Sequence, residues 1–159
     1  MPIAITSRDN PQIKLFIRLR DKSRDRRENG LLVLEGARLC ADAAANGLAI
    51  KTAFLTKRAL EQYPSETALL GQTAAETFEI SEAISLHLGE TEHPQGVFAI
   101  VCLPPQTVDP KRLSPKGRFL ALESVRDPGN LGTIVRTAEA FGVDGLLLSA
   151  DCCDLYSPK

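Results

Sequence analysis

Between residues 127 and 142 the chain reads Asp-Pro-Gly-Asn-Leu-Gly-Thr-Ile-Val-Arg-Thr-Ala-Glu-Ala-Phe-Gly. Pro128-Gly129-Asn130 lets a backbone turn tightly, and Asn130 is a good helix N-cap. Gly129 and Gly132 leave room for a ligand beside the free amides of a helix N-terminus. Arg136 lies six residues after Asn130. Helical rotation carries it away from the Leu131, Ile134, Ala138 face, to the side of Gly132 and Glu139, where a guanidinium can meet a phosphate or a ribose. The residues alone also permit a plainer arrangement, and favour it: Asn130 merely caps the helix and Arg136 pairs with Glu139 at i+3.

A second group of candidates lies near the start. Residues 1–30 carry eight cations (Arg8, Lys14, Arg18, Arg20, Lys22, Arg24, Arg26, Arg27) against four anions, whereas residues 41–103 carry three cations against eight anions. A basic leader on an acidic body suits a polyanion bound at one face. A solvated helix surface accounts for it equally well, because Asp and Glu alternate with the arginines. The four cysteines (Cys40, Cys102, Cys152, Cys153) form no C-x-x-C pair, and His87 and His93 stand apart from them. Reduced thiols of a cytoplasmic protein are expected, and no metal site. No run of 18 apolar residues is present, so no membrane span is expected.

These residues need elements to hold them. Asn10-Pro11 opens a helix whose apolar stripe is Ile13, Phe16 and Ile17, with Lys14, Arg18 and Lys22 on another face. LLVLEG (31–36), AIKTAFLT (49–56), TFEI (77–80) and GVFAIVCL (96–103) are short apolar runs that predict strands. Between them, 37–47 reads as an Ala-rich helix stopped by Gly47, helical sequence runs from 57 to about Tyr63, where Pro64 intervenes, and Ser81 starts a helix through Leu88. Alternation of strand and helix predicts an α/β layer structure. PPQTVDPKRLSPKG (104–117), with four prolines and no apolar period, reads as a linker. The expected organisation is a domain over 1–103, a linker over 104–116, and a second unit over 117–159. In that unit RFLALES (118–124), a helix over 130–142 and VDGLLLSA (143–150) predict a parallel β-α-β crossover. Leu131, Ile134, Val135, Ala138 and Phe141 would form the helix's buried face, and Gly142 its stop.

The stretch ALESVRDPGNLGTIVRTAEAFGVDGLLLS (121–149) resembles the first signature motif of the SpoU/TrmH family of RNA 2′-O-ribose methyltransferases, in the SPOUT superfamily. The matching positions are Asn130, Gly132, Arg136, Ala138 or Ala140, and Phe141-Gly142. ITSRDNPQIK (5–14), KSRDRREN (22–29), LLVLEGARL (31–39) and HPQGVFAIV (93–101) are similar to the family's N-terminal substrate-binding domain, a small α/β fold like that of ribosomal proteins that bind kinked RNA. The resemblance implies that Arg136 assists deprotonation of a ribose 2′-hydroxyl or positions its phosphate, with Asn130 holding that site. Lys14, Arg18, Arg20, Lys22, Arg24, Arg26, Arg27 and Arg38 are then the expected RNA contacts. Glu35, Gly36, Gly129, Gly132 and Glu139 are expected to be structural members of the motifs.

The implied partner is structured RNA, ribosomal or transfer, and the implied methyl donor is S-adenosylmethionine. The family's knotted donor pocket and dimer interface lie C-terminal to the first motif, and the sequence stops before them. These 159 residues are therefore expected to be an RNA-binding front with an incomplete parallel α/β unit, without a donor site of its own. A homodimer is implied for the complete protein and left in doubt for this chain. The β-α-β unit, lacking sheet neighbours, is expected to carry open edges and exposed apolar strands. A non-catalytic RNA-binding module and a protein-interaction adaptor remain as alternatives.

Overall fold

A computed structural model describes residues 3–104 and 113–157. The chain divides into two compact units, residues 1–104 and 105–159. Most of the expected linker, residues 105–112, lies outside the described residues.

In the first unit the strands are β1 (Ile3–Ile5), β2 (Leu31–Glu35), β3 (Ile50–Leu55), β4 (Glu76–Ile80) and β5 (Val97–Cys102). They form one mixed sheet in the order β1-β4-β3-β5-β2, parallel across β1, β4 and β3 and antiparallel across β3, β5 and β2. The helices are α1 (Pro11–Asp21), α2 (Ser23–Asn29), α3 (Ala37–Ala45), α4 (Lys57–Gln62), α5 (Pro64–Thr73) and α6 (Glu82–Leu88). Period-two alternation along the strands gives the sheet two apolar faces. Leu31, Val33, Phe54, Phe78, Ile80, Phe98 and Ile100 meet Ile13, Phe16 and Leu19 of α1 and Ile84 and Leu88 of α6 in one buried cluster. The other face is covered by α3 and α5, which pack on each other and on the sheet. Phe78, Phe54 and Phe98 sit in register across β4, β3 and β5. The ring of Phe16 stands edge-on to Phe54 and Phe98, at centroid distances of 5.9 and 5.7 Å. Such pairs add about 0.5–1.5 kcal/mol each beyond the area they bury, so this four-ring contact is a main anchor of α1.

Two elements differ from expectation. Pro64 does not end the helical stretch; it occupies the first turn of a new helix, α5, where its missing N–H costs nothing. β1, only three residues long, joins the sheet edge beside β4. The α1–α2 break comes at Lys22, whose extended backbone (φ −126°, ψ 113°) ends one helix and leads into the next.

The second unit contains β6 (Phe119–Leu122), α7 (Pro128–Ala140) and β7 (Gly145–Leu148). β6 and β7 pair in parallel, from Phe119 opposite Gly145 to Leu122 opposite Leu148. Helix α7 begins two residues before the expected start. Asp127, not Asn130, is its N-cap: the Asp127 carboxylate accepts the Asn130 N–H at 2.7 Å, and Pro128 follows directly. The expected apolar face is shorter than its spacing suggested. Leu131 and Ala138 are buried, Ile134 and Val135 half-buried, and Phe141, 73% exposed, lies outside it. Gly142 (φ +63°) does end the helix. Apolar residues of the two strands are exposed as well: Phe119, Leu120 and Leu147 are 36%, 37% and 42% accessible.

Candidate functional site

At the start of α7, Asn130 is the third helical residue and its side chain is exposed. Two turns on, the Arg136 guanidinium donates to the Thr133 hydroxyl at 3.3 Å, and that hydroxyl donates to the Gly129 carbonyl at 2.9 Å. Among the described residues Arg136 has no carboxylate partner, so the i+3 pairing with Glu139 is not formed. Gly132 lies below the guanidinium: a Cβ there would come within 3.4 Å of Arg136 Nη1. Pro128, Leu131, Gly132, Val135 and Arg136, with Asp154, Leu155 and Ser157, line a cleft of about 230 Å³. The arrangement presents a guanidinium, bonded to no carboxylate among the described residues, at a small cleft that Asp154 also lines. It can hold an anionic oxygen, or steady charge developing on a hydroxyl.

The loop before α7 is held by a polar clasp that no sequence pattern marked. Ser124 has φ +55°, a left-handed conformation uncommon outside glycine. Its N–H donates to Ser149 Oγ at 3.0 Å, its hydroxyl donates to the Asp151 carboxylate, and Ser149 Oγ donates to the other Asp151 oxygen at 2.6 Å. Arg126 stands 3.7 Å from the same carboxylate. The Ser124 and Ser149 hydroxyls, with Arg126 behind them, hold the Asp151 carboxyl below its usual range. The Cys153 N–H closes the clasp on the Val125 carbonyl at 2.8 Å. Asp127, and the first turn of α7 that carries Asn130, therefore follow a loop tied to the carboxyl end of β7.

In the first unit the expected RNA-contacting cations separate by environment. Arg26 is interior, 4% exposed, and its guanidinium donates to the Leu19 and Arg20 carbonyls at the end of α1 (2.5 and 2.9 Å). It is a cap for orphan helix carbonyls and, so placed, is no surface cation. Arg20 is also committed: it pairs with Asp21 at 2.7 Å and donates to the His87 and Leu88 carbonyls at 3.1 Å each, tying α1 to the end of α6. Arg24 pairs with Glu28 at 2.6 Å, Lys14 with Asp9 at 2.8 Å and Arg38 with Asp42 at 3.7 Å, all on the exposed surface. Among the described residues the Arg27 side chain donates only to the Ser23 hydroxyl, at 3.3 Å. Lys22 and Arg18 are exposed.

Glu35 and Gly36 close β2. The Glu35 carboxylate accepts the Glu90 N–H at 2.9 Å and the Thr91 hydroxyl at 2.7 Å, bracing the loop that precedes β5. Gly36 (φ +106°) lets Gln95 reach in, where its amide oxygen accepts the Ala37 N–H at 2.8 Å and caps α3. Neither residue points to chemistry; both shape the loops at this end of the sheet.

Comparison with known proteins bears on both units. Residues 10–99 match the model of the MRM3-like substrate binding domain, and residues 117–159 match that of the SpoU rRNA Methylase family. An uncharacterized tRNA/rRNA methyltransferase of Synechocystis is 36% identical over 157 residues, 98% of this chain and 56% of that protein. The Bacillus subtilis 23S rRNA (guanosine(2553)-2′-O)-methyltransferase RlmP is 28% identical over 155 residues, 98% of this chain and 58% of that protein. The crystal structure of an rRNA methyltransferase from Sinorhizobium meliloti superposes with a TM-score of 0.81 at 31% identity, covering 97% of this chain and 57% of that one. This chain thus spans a little over half the length of these relatives. It belongs to the SpoU family of RNA methyltransferases, with an MRM3-like substrate binding domain ahead of the family's methylase segment.

Proposed function

We propose that the protein carrying this chain is an RNA 2′-O-ribose methyltransferase acting on ribosomal RNA. In this reading residues 1–103 hold the RNA, and Asn130 and Arg136 serve the reacting ribose. The observation that carries it is Arg136, exposed beside Gly132 and bonded to no carboxylate among the described residues. A guanidinium stays protonated at neutral pH, so its role is electrostatic. It stabilises the 2′-oxygen as its proton leaves, or grips the neighbouring phosphate so that this oxygen faces the methyl group. Asn130, in the first turn of α7 just after the clasped loop, orients the same ribose. The names of the relatives, which act on 23S rRNA in Bacillus subtilis and Streptomyces viridochromogenes, support this substrate class.

S-adenosylmethionine is the donor this reaction requires. A Sinorhizobium meliloti relative crystallised with AdoMet bound aligns at 30% identity, with a TM-score of 0.80. The cleft beside α7, about 230 Å³, is smaller than the roughly 300–1,000 Å³ of pockets that enclose drug-sized molecules.

The test is transfer of a tritiated methyl group from S-adenosylmethionine to ribosomal RNA. The product is read as alkali-resistant dinucleotides, which only 2′-O-methylation leaves. Arg136→Ala is expected to lower kcat by about 10²–10³-fold, what loss of one donor that stabilises developing negative charge costs. RNA binding without any transfer would make the protein a non-catalytic RNA-binding module. Full activity in the variant would remove Arg136 from the site.

A further inference from the structure

A groove of about 760 Å³ runs between α1 and α6, lined by Arg8, Asp9, Pro11, Lys14, Ile17, Arg18 and His87. Its charges are three cations and one carboxylate. Asp9 is drawn to Lys14 at 2.8 Å, which holds its carboxyl below the usual range. Lys14 and Asp9 neutralise each other, so the remaining field comes from the two arginines. The Arg18 side chain, one turn beyond Lys14, has no hydrogen-bond or carboxylate partner among the described residues. Among the described residues the Arg8 side chain makes a single weak contact, donating to the Ala83 carbonyl at 3.4 Å, and keeps most of its five N–H donors for other use. By contrast Arg20, Arg24, Arg26 and Arg38 are all engaged within the fold. Pro11 and Ile17 give the groove apolar surface between the charges, and His87 adds an aromatic ring on the α6 side.

We propose that this α1–α6 groove grips an RNA phosphodiester backbone, with Arg8 and Arg18 as its phosphate ligands and with Pro11, Ile17 and His87 against the sugars and bases. Charge complementarity selects the occupant. Two unneutralised guanidinium forks flanking an apolar floor suit a chain that alternates phosphates with flat, largely apolar surfaces. The proposal rests on the reading that this protein binds RNA, and it moves the main contacts. Arg24 and Arg26 of α2, one paired and one interior, give way to Arg8, before α1, and Arg18, within it.

The experiment is fluorescence anisotropy of a labelled RNA stem-loop titrated with the whole chain at several salt concentrations. Each phosphate contact contributes about 0.7–0.9 to the slope of log K against log salt. Arg8→Ala/Arg18→Ala is expected to flatten the slope by about 1.4–1.8. Arg8→Lys/Arg18→Lys should retain most of it. Lys51→Ala/Lys57→Ala removes the same formal charge away from the groove and should leave the slope within about 0.3 of the parent value. Circular dichroism confirms that each variant is folded. If the parent binds with a salt-dependent slope and the double alanine variant matches it, the groove is not the site, while RNA binding stands. Should the parent show no salt-dependent affinity at all, the RNA reading itself fails.

Discussion

Replacing Arg26 by methionine separates two roles that its charge alone could not tell apart. As a phosphate contact, its loss would weaken RNA binding and leave the fold intact. As the interior cap seen here, its loss strands two carbonyls at the end of α1. The guanidinium donates to Leu19 and Arg20 at 2.5 and 2.9 Å from a position 4% exposed. Hydrogen bonds from charged donors contribute about 1.5–3 kcal/mol each. Methionine refills much of the volume but donates nothing, so two bonds at the low end give a loss of about 3 kcal/mol. That is a large part of the roughly 5–15 kcal/mol by which a domain is stable. At about 4–8 °C per kcal/mol for a domain of this size, the melting midpoint should fall by roughly 12–24 °C. Thermal circular dichroism measures it, and anisotropy on the same sample at low temperature measures the salt slope. A midpoint within about 2 °C of the parent, with a slope flattened by about 0.7–0.9, would refute the capping argument and return Arg26 to the RNA surface.

Other outcomes follow from the same geometry. Gly96 has φ +77°, and an added Cβ would fall 2.3 Å from Thr56 Oγ1, the hydroxyl that caps α4. Gly96→Ala should cost about 2–3 kcal/mol in urea unfolding, from the left-handed backbone and the displaced cap, and Thr56→Gly should give part of it back in the double variant. Additive losses would show that the two residues do not collide. Burial pushes the Cys40 thiol up to about 12, while Cys102 is exposed. Iodoacetamide at pH 8 followed by peptide mass spectrometry should therefore modify Cys102 in the native protein and Cys40 only after unfolding. Equal rates would contradict the packing of α3. Asp151 is held below its usual range, so its clasp contributes stability above the ordinary carboxylate value of 3.8 and loses it as pH falls through the depressed one. Amide exchange at Ser124 and Cys153 should quicken, relative to buried β3 amides, only below about pH 4, and Asp151→Asn should remove that pH dependence.

Much of this architecture was legible because apolar runs in the chain are short and cleanly bounded. β2, β3, β5, β6 and β7 each lie within a predicted run, β4 begins one residue before its own, and the β-α-β crossover follows from strand, helix, strand order. β1 was not legible, because three residues carry no period; only its register with Phe78, Glu79 and Ile80 makes it a strand. Pro64 was read as a break because proline ends helices, yet the same ring favours their first turn. Asp127 and Asn130 are both good caps by type. The deciding signal was Pro128, which fits the first helical position and so places the cap one residue earlier. In the candidate site the spacing of Gly132 and Arg136 was readable, as was the exposure of the arginine. The Ser124–Asp151 clasp was not, since it joins residues 27 apart through loop conformation alone. Arg26 was misplaced for a related reason: residue type says charged and exposed, while only the bend at Lys22 turns it back under α1.

The topology of the first sheet also dictates an order of events during synthesis. α1 leaves the ribosome early, but the rings against which Phe16 packs belong to β3 and β5, and Phe98 comes 82 residues later. At about 5–20 residues per second that gap lasts roughly 4–16 s. Through that interval Ile13, Phe16 and Leu19 form an apolar stripe with no sheet to receive it. The first helix made is among the last to be buried, and a nascent chain paused before β5 offers chaperones its most hydrophobic face.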